Sequence, residues 1–420
     1  MSAVSPGGTL GPATPSAVIP IAIARTSAEP IAGVSVTFRL SHLQLASAPN
    51  ITLGGFLSAS GASVGGPYVT DHGDGSYTVD ASTLGTPCGS SDLTGELFRV
   101  RVASGELVDA GTLTVTSVTL RDCSNATLFS GIGAAAMVAI DNLAPTVAVS
   151  SPNGGETWLA GSSQAVQWSA ADAAGIPADG VDLSYSSDGG GTWNAIATGL
   201  ANAGSYSWTV PSTLSADGRV RVLARDVNGN AASDVSDASF TIAVQSVVAV
   251  ASSENPSKFG QPVSFTATVT PPGAGGTVSF KVDGATLGGP VTLHDGLATS
   301  VSISSLAAGT HPVQASYGGD ALHVGSDAGL SGGQVVENAL TATALAAVPS
   351  PSVFGVEVTL TATVTRVPPA AGAPSGDVVF LDGVTTLATV ALDASGAATA
   401  SVSTLAVGDH VLRAGYAGLG

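Results

Sequence analysis

Lysine is nearly missing from this 420-residue chain: Lys258 and Lys281 are the only two, and Lys and Arg together number 12 against 30 Asp and Glu. The formal net charge is -18. A surface of that sign repels phosphate, so a nucleic-acid partner is not expected. Charged residues of both signs reach only 10%, against about 25% in an ordinary globular protein. Yet 44% of the residues are hydrophobic, enough to bury a core, so the low charge does not signal disorder. Long apolar runs are also lacking. No stretch nears the ~18 residues of a membrane span, and 131–140 is short and rich in Gly and Ala. No Lys or Arg precedes Arg25, and the apolar stretch 17–24 contains Pro20 and reads as a strand. Neither a signal peptide nor membrane insertion is expected within the numbered chain. Aromatics are 5% and Met numbers two. This leaves little material for helical bundles, coiled coils or a large α/β enzyme. What is abundant is Gly, 54 residues, together with Ser, Thr, Val and Ala, a turn-rich β composition.

Cysteine is scarce too. Cys88 and Cys123 lie in segments rich in Gly, Ser and Asp, 35 residues apart. Two thiols without His at ligand spacing are too few for zinc. Two buried free thiols are one reading. A disulfide is the other and the expected one, and its loop would be worth roughly 3–4 kcal/mol in the chain-entropy account.

The C-terminal half repeats itself. Asn255 to Thr270 is answered by Ser350 to Thr365, with Pro256 and Pro351 separated by 95 positions. Phe280, Asp283 and Gly284 are answered by Phe380, Asp382 and Gly383; Leu306, Gly309 and His311 by Leu405, Gly408 and His410; Tyr317 by Tyr416. A spacing near 100 residues is that of a whole sandwich domain rather than a solenoid unit. Within each copy the period is two. Val263, Phe265, Ala267 and Val269 alternate with Ser264, Thr266 and Thr268, as a strand with one buried face requires. Phe265 and Leu360 are expected at one inward site, Phe280 and Phe380 at another, and Lys281 outward. Asp283-Gly284 and Asp382-Gly383 are hairpin pairs. His311 and His410 hold equivalent places, which points to a structural role.

This ordered set resembles the bacterial Ig-like domain of group 3, over 245–338 and 339–420. The resemblance implies spacer and stalk modules of exported and surface proteins, with no catalytic residues to carry over. The second copy departs from the first after Tyr416, where a final strand is missing, and the chain is expected to be truncated there.

Residues 144–244 carry Trp158, Trp168, Tyr185, Tyr206, Trp208 and Phe240 in short strand-like segments. The pattern is similar to fibronectin-III-like domains of anchored and cell-wall-assembly proteins. Ser186, Asp188, Gly190, Thr192 and Trp193 fit an Asp-box, read as a hairpin turn and not as part of a sialidase. Asp226, Asn228, Asn230, Asp234 and Asp237 stand at offsets 1, 3, 5, 9 and 12, as in a calcium loop. Ala231 stands where such a loop wants Gly, and no flanking helices are visible. A solvated turn is the expected reading, with a calcium site as the other.

Residues 14–143 read as strands at 18–24, 33–40, 77–79, 97–102, 113–120 and 136–140. Their order resembles the jelly-roll sandwich of cohesins and carbohydrate-binding modules, which implies a surface glycan or protein ligand; one more structural sandwich is the other reading and the expected one. No binding residue is singled out: Tyr68, Tyr77 and Phe98 read as easily as core. The whole is expected to be all-β, an elongated array of four tandem sandwiches (1–143, 144–244, 245–338 and 339–420). It reads as a monomeric, non-catalytic stalk or adhesin-like region of an exported bacterial protein, extracellular or at the cell surface, with no cofactor apart from the calcium alternative. The runner-up is the accessory region of a secreted glycan-active enzyme.

Overall fold

The computed structural model describes residues 1–368 and 373–418, and these contain strands and turns but no helix. The chain divides into two compact units, Met1–Thr241 and Ile242–Gly420.

The first unit begins with two facing sheets. One orders Ser2–Ala3, Ala17–Ala24, Thr94–Ala103 and Gln44–Leu45; the other orders Thr9–Leu10, Ala136–Ile140, Ala110–Arg121, Gly33–Ser41, Ser76–Leu84 and Ser63–Asp71. Alternation selects the inward faces. Ile19, Ile21, Phe98 and Val100 from one sheet and Val36, Phe38, Val79 and Val118 from the other are fully buried in one core. The sequence-derived strand cores all lie inside the observed strands, and 77–79 proves to be the middle of the longer Ser76–Leu84. In Ala110–Arg121 the inward series runs Leu113, Val115, then Val118, Leu120. The extra residue is a bulge, and the register to Gly33–Ser41 shifts between Val115 and Ser117. A bulge moves the inward phase by one residue, which keeps both halves of the strand facing the core.

Two more sheets follow in this unit. Thr146–Ser151, Ser163–Ala171 and Ser205–Thr209 form one; Ser215–Arg225 pairs with Val181–Ser186 and Ala231–Val235 in the other. Their shared core is aromatic. Trp158 lies 6.0 Å from Trp208 and 5.1 Å from Phe240, ring centre to ring centre. Such tilted contacts contribute about 0.5–1.5 kcal/mol each beyond burial.

In the second unit the repeats build matching sheets. Val247–Ser252, Phe265–Thr270 and Leu297–Thr299 correspond to Thr341–Val348, Val358–Arg366 and Ala397–Val402; Thr277–Val282 beside Val313–Tyr317 corresponds to Asp377–Asp382 beside Leu412–Tyr416. Phe265, Leu360, Phe280 and Phe380 are all fully buried, while Lys281 is exposed. The first repeat has a further sheet, Ser257–Lys258, Gln334–Glu337 and Gly309–His311. Among the described residues the second repeat has no counterpart of it. The sequence-equivalent Phe259 and Phe354 therefore differ: Phe259 is half-buried with the Arg366 guanidinium 4.7 Å over its ring, and Phe354 is 72% exposed.

Candidate functional site

The five residues read as a calcium loop do not converge. Ala231–Val235 is an extended strand, and a strand carries its residues away at about 3.3 Å each. It takes Asp234 to the Val149 amide, which donates to its Oδ2 at 2.7 Å. Asp237, beyond the strand, accepts from Asn153 Nδ2 at 2.7 Å. Only Asp226, Asn228 and Asn230 remain in the turn. Asp226 Oδ1 accepts from the Asn228 and Asn230 amides at 2.8 and 2.9 Å, and its Oδ2 accepts from Asn230 Nδ2 at 2.7 Å.

The turn instead meets two carboxylates from distant segments. Asp141 and Asp172 join Asp226, each offering an oxygen within 4.8 Å of the others. Asp226 is only 3% exposed. Asn228 Nδ2 donates to Asp141 Oδ2 at 2.7 Å, and Asn230 Nδ2 to the Asp141 carbonyl at 3.0 Å. The Ala13 amide donates to the Asn228 carbonyl at 2.8 Å. Glycine permits this approach. At Gly229, with φ +88°, a Cβ would lie 2.8 Å from the Ala13 nitrogen; at Gly11 it would lie 2.8 Å from the Asp141 oxygen. This is the only grouping of three His, Cys, Asp or Glu side chains among the described residues, and none of the three Asp forms an ion pair there. Oxygen donors alone, carboxylate and amide, suit a hard cation such as calcium. Nothing local in the sequence marks Asp141 or Asp172 as members.

The Asp-box segment is a turn between Val181–Ser186 and Asn194–Leu200. Asp188 Oδ1 accepts from the Ser186 hydroxyl at 2.6 Å and the Thr192 amide at 2.8 Å; Oδ2 accepts from the Thr192 hydroxyl at 2.7 Å. The hydroxyl of Ser186, then the Thr192 groups, hold its pKa down to about 2. The Gly190 amide donates to Ser186 Oγ at 2.9 Å. Trp193 lies under the Arg221 guanidinium at 4.5 Å. All these groups are spent on shaping a hairpin.

Cys88 and Cys123 are joined as a disulfide, Cα to Cα 5.9 Å. It connects the loop before Thr94–Ala103 to the turn after Ala110–Arg121. Of the three aromatics weighed for binding, Phe98 is buried and Tyr77 packs 5.6 Å from Phe38; Tyr68 alone is exposed, at 63%. An apolar depression of about 380 Å³ lies between Ile23, Ile31, Leu120, Leu128 and Phe129, with Arg25 at its rim. The Arg25 head is committed to the carbonyls of Asp92 and Ser90.

Residues 250–335 and 345–420 each match the family model of the bacterial Ig-like domain (group 3). No curated protein matches the chain. Among solved structures, a tetra-tandem repeat from the extending region of a large adhesion protein is similar over 96% of this chain and 95% of its own, at 18% identity and a TM-score of 0.39. A non-cellulosomal cohesin from the archaeon Archaeoglobus fulgidus is similar over 33% of this chain and 88% of its own, at 13% identity and a TM-score of 0.25. Fibronectin(III)-like modules from Clostridium thermocellum are similar over 46% and 95%, at 16% identity and a TM-score of 0.23. Scores of this size carry no weight beside the family match, the duplicated sheets and the paired buried Phe residues. On those three grounds, residues 250–335 and 345–420 are two tandem copies of one β-sandwich, each matching the bacterial Ig-like domain (group 3).

Proposed function

We propose that residues 1–420 are a non-catalytic modular segment of an exported bacterial surface or secreted protein, serving as a stalk or adhesin-like array. The observation that carries this reading is the tandem pair of duplicated cores, with Phe265 and Leu360, and Phe280 and Phe380, buried alike, beside an Asp-box segment whose polar groups shape a turn. Four sandwiches, 1–143, 144–244, 245–338 and 339–420, are the proposed modules. The disulfide supports an oxidising compartment. A stalk module should unfold under tension independently of its neighbours. Pulling the full chain at its two ends should give separate events for the two repeats. Each repeat holds about 85 residues at ~3.5 Å when extended, so each step should be on the order of 250–300 Å. One single event for the whole chain would refute the modular reading. A second reading, an accessory module that binds glycan or protein, is favoured by the apolar depression beside Phe129. It would displace the first if a glycan array identified a ligand lost on Phe129→Ala.

The same proposal places calcium at Asp141, Asp172 and Asp226, where three carboxylates meet and, among the described residues, form no ion pair. All four Trp lie between 158 and 208, so their fluorescence reports the neighbouring core. Calcium at 100 times its dissociation constant should stabilise that core by about 2.7 kcal/mol. Thermal melts should show a rise with CaCl2, reversal by EDTA, and no rise in Asp226→Asn. A melt indifferent to calcium would remove the site.

A further inference from the structure

Each bacterial Ig-like repeat holds one histidine between two acceptors. In the first, His311 Nδ1 lies 2.7 Å from Asp283 Oδ2 and Nε2 lies 2.9 Å from the Ala307 carbonyl. In the second, His410 Nδ1 lies 2.5 Å from Asp382 Oδ2 and Nε2 lies 2.8 Å from the Ala406 carbonyl. Both rings are mostly covered, their side chains 13% and 21% exposed. A carbonyl can only accept, and an ionised carboxylate can only accept. A neutral imidazole has one N–H and would turn a lone pair toward one of these oxygens. Only the imidazolium satisfies both.

The two partners belong to different parts of each sandwich. Asp283 and Asp382 sit in Asp-Gly hairpin turns, and Asp283 itself has φ +52°, the left-handed region that a side chain other than Gly enters at a cost. Ala307 and Ala406 lie in the loop leading to the histidine. We propose that each repeat carries a protonation-gated latch, in which His311 or His410 pins the hairpin turn to this loop only while its ring carries both protons.

The charged surroundings support the gate. Facing His311 is Asp283; facing His410 are Asp382 and the adjacent Asp409. Among the described residues no cation is paired with either ring. The carbonyl of Ala307 or Ala406 first, and then the carboxylate, push both histidines above the ordinary value, against the opposing effect of burial. A folded-state value raised in this way gives stability that is complete below the unfolded value of about 6.5 and is lost as pH rises through the folded value. The latch therefore loosens on the alkaline side. In an acidic chain this runs opposite to the usual carboxylate pattern, in which stability is lost toward low pH.

The test uses the full chain. The ring-proton resonances of His311 and His410, assigned by their loss in His311→Gln and His410→Gln, should titrate above 6.5, and Asp283→Asn and Asp382→Asn should each lower the midpoint of their own partner. Protection factors for amides in Thr277–Val282 and Asp377–Asp382 should exceed those of the double Gln variant at pH 5.5. The excess is tenfold for each unit by which the folded value is raised, and it should shrink toward one by pH 9. His42 near Glu106 and His323 near Asp320 are common to both proteins and cancel in that ratio. Midpoints at or below 6.5, or a ratio that does not change with pH, would overturn the latch. If the double variant fails to fold, the Asp→Asn midpoints decide alone, since they are read in the folded chain.

Discussion

Replacing Phe280 by Ala should weaken the first Ig-like repeat by about 3–5 kcal/mol, the cost of emptying an aromatic site in a core that cannot collapse to fill it. Phe280 is fully shielded, in the middle of Thr277–Val282 and opposite Ala315 of the neighbouring strand. Its core companions are Val278, Phe265, Ala267 and Tyr317. A sandwich of this size has a small core, so one ring is a large share of it. The adjoining Lys281, on the other face of the same strand, should tolerate Ala within about 0.5 kcal/mol. Hydrogen exchange on the full chain separates the two. Amides of Thr277–Val282 should exchange faster by roughly two to three and a half powers of ten in Phe280→Ala, and hardly change in Lys281→Ala. Equal effects would mean that the strand faces the other way. Phe380→Ala should act in the same manner on the second repeat.

Breaking the Cys88–Cys123 bridge, by reduction or by Cys123→Ser, should cost the first core about 3–4 kcal/mol, the loop-closure term for a loop of this length. The cost arises in the unfolded chain, which the bridge constrains, so the native contacts around it do not offset it. The loop that contains Cys88 is otherwise held by the Ile31–Ser90 backbone pair, by the Gly89 amide on Thr83 Oγ1 and by Arg25 on the Ser90 and Asp92 carbonyls. The turn that contains Cys123 is held mostly within itself, by Asp122 accepting from the Ser124 and Ala126 amides. Opening the bridge leaves the two segments joined through 31–33, where Ile31 pairs with Ser90 and the Ala32 amide donates to the Arg121 carbonyl. Cys123 is exposed, so a mild reductant should suffice. Loss of exchange protection near Phe98, with the tryptophan-reported core unaffected, is the expected pattern. No loss on reduction, with the thiols shown to be free, would mean that the bridge contributes nothing.

Much of this architecture follows from short-range pattern. Period-two alternation from Val263 to Val269 states which side chains face inward because a strand has only two faces. Repeat-equivalent residues such as Phe280 and Phe380 are buried alike because equal local patterns enter equal sheets. The Asp-box turn is legible for a related reason: Ser186, Asp188, Gly190 and Thr192 bond to one another within a few residues.

The all-β class, the inward and outward faces, the hairpin turns and the duplication are local or repeating patterns and can be read along the chain. Which distant side chains meet is set by how the strands pair. Asp234 and Asp237 have the spacing of a calcium loop, but strand pairing pulls them to Val149 and Asn153. Asp141 and Asp172 have no spacing relation to Asp226, yet the path of the chain brings them to it. Phe354 matches Phe259 in sequence, and its exposure differs because burial depends on the strands that lie alongside. The histidine latches belong to both levels. Their duplication can be read from the chain, but the carbonyl that faces each second nitrogen is placed by the fold. Alternation is a property of neighbours along the backbone, whereas proximity across tens of residues is set by sheet topology.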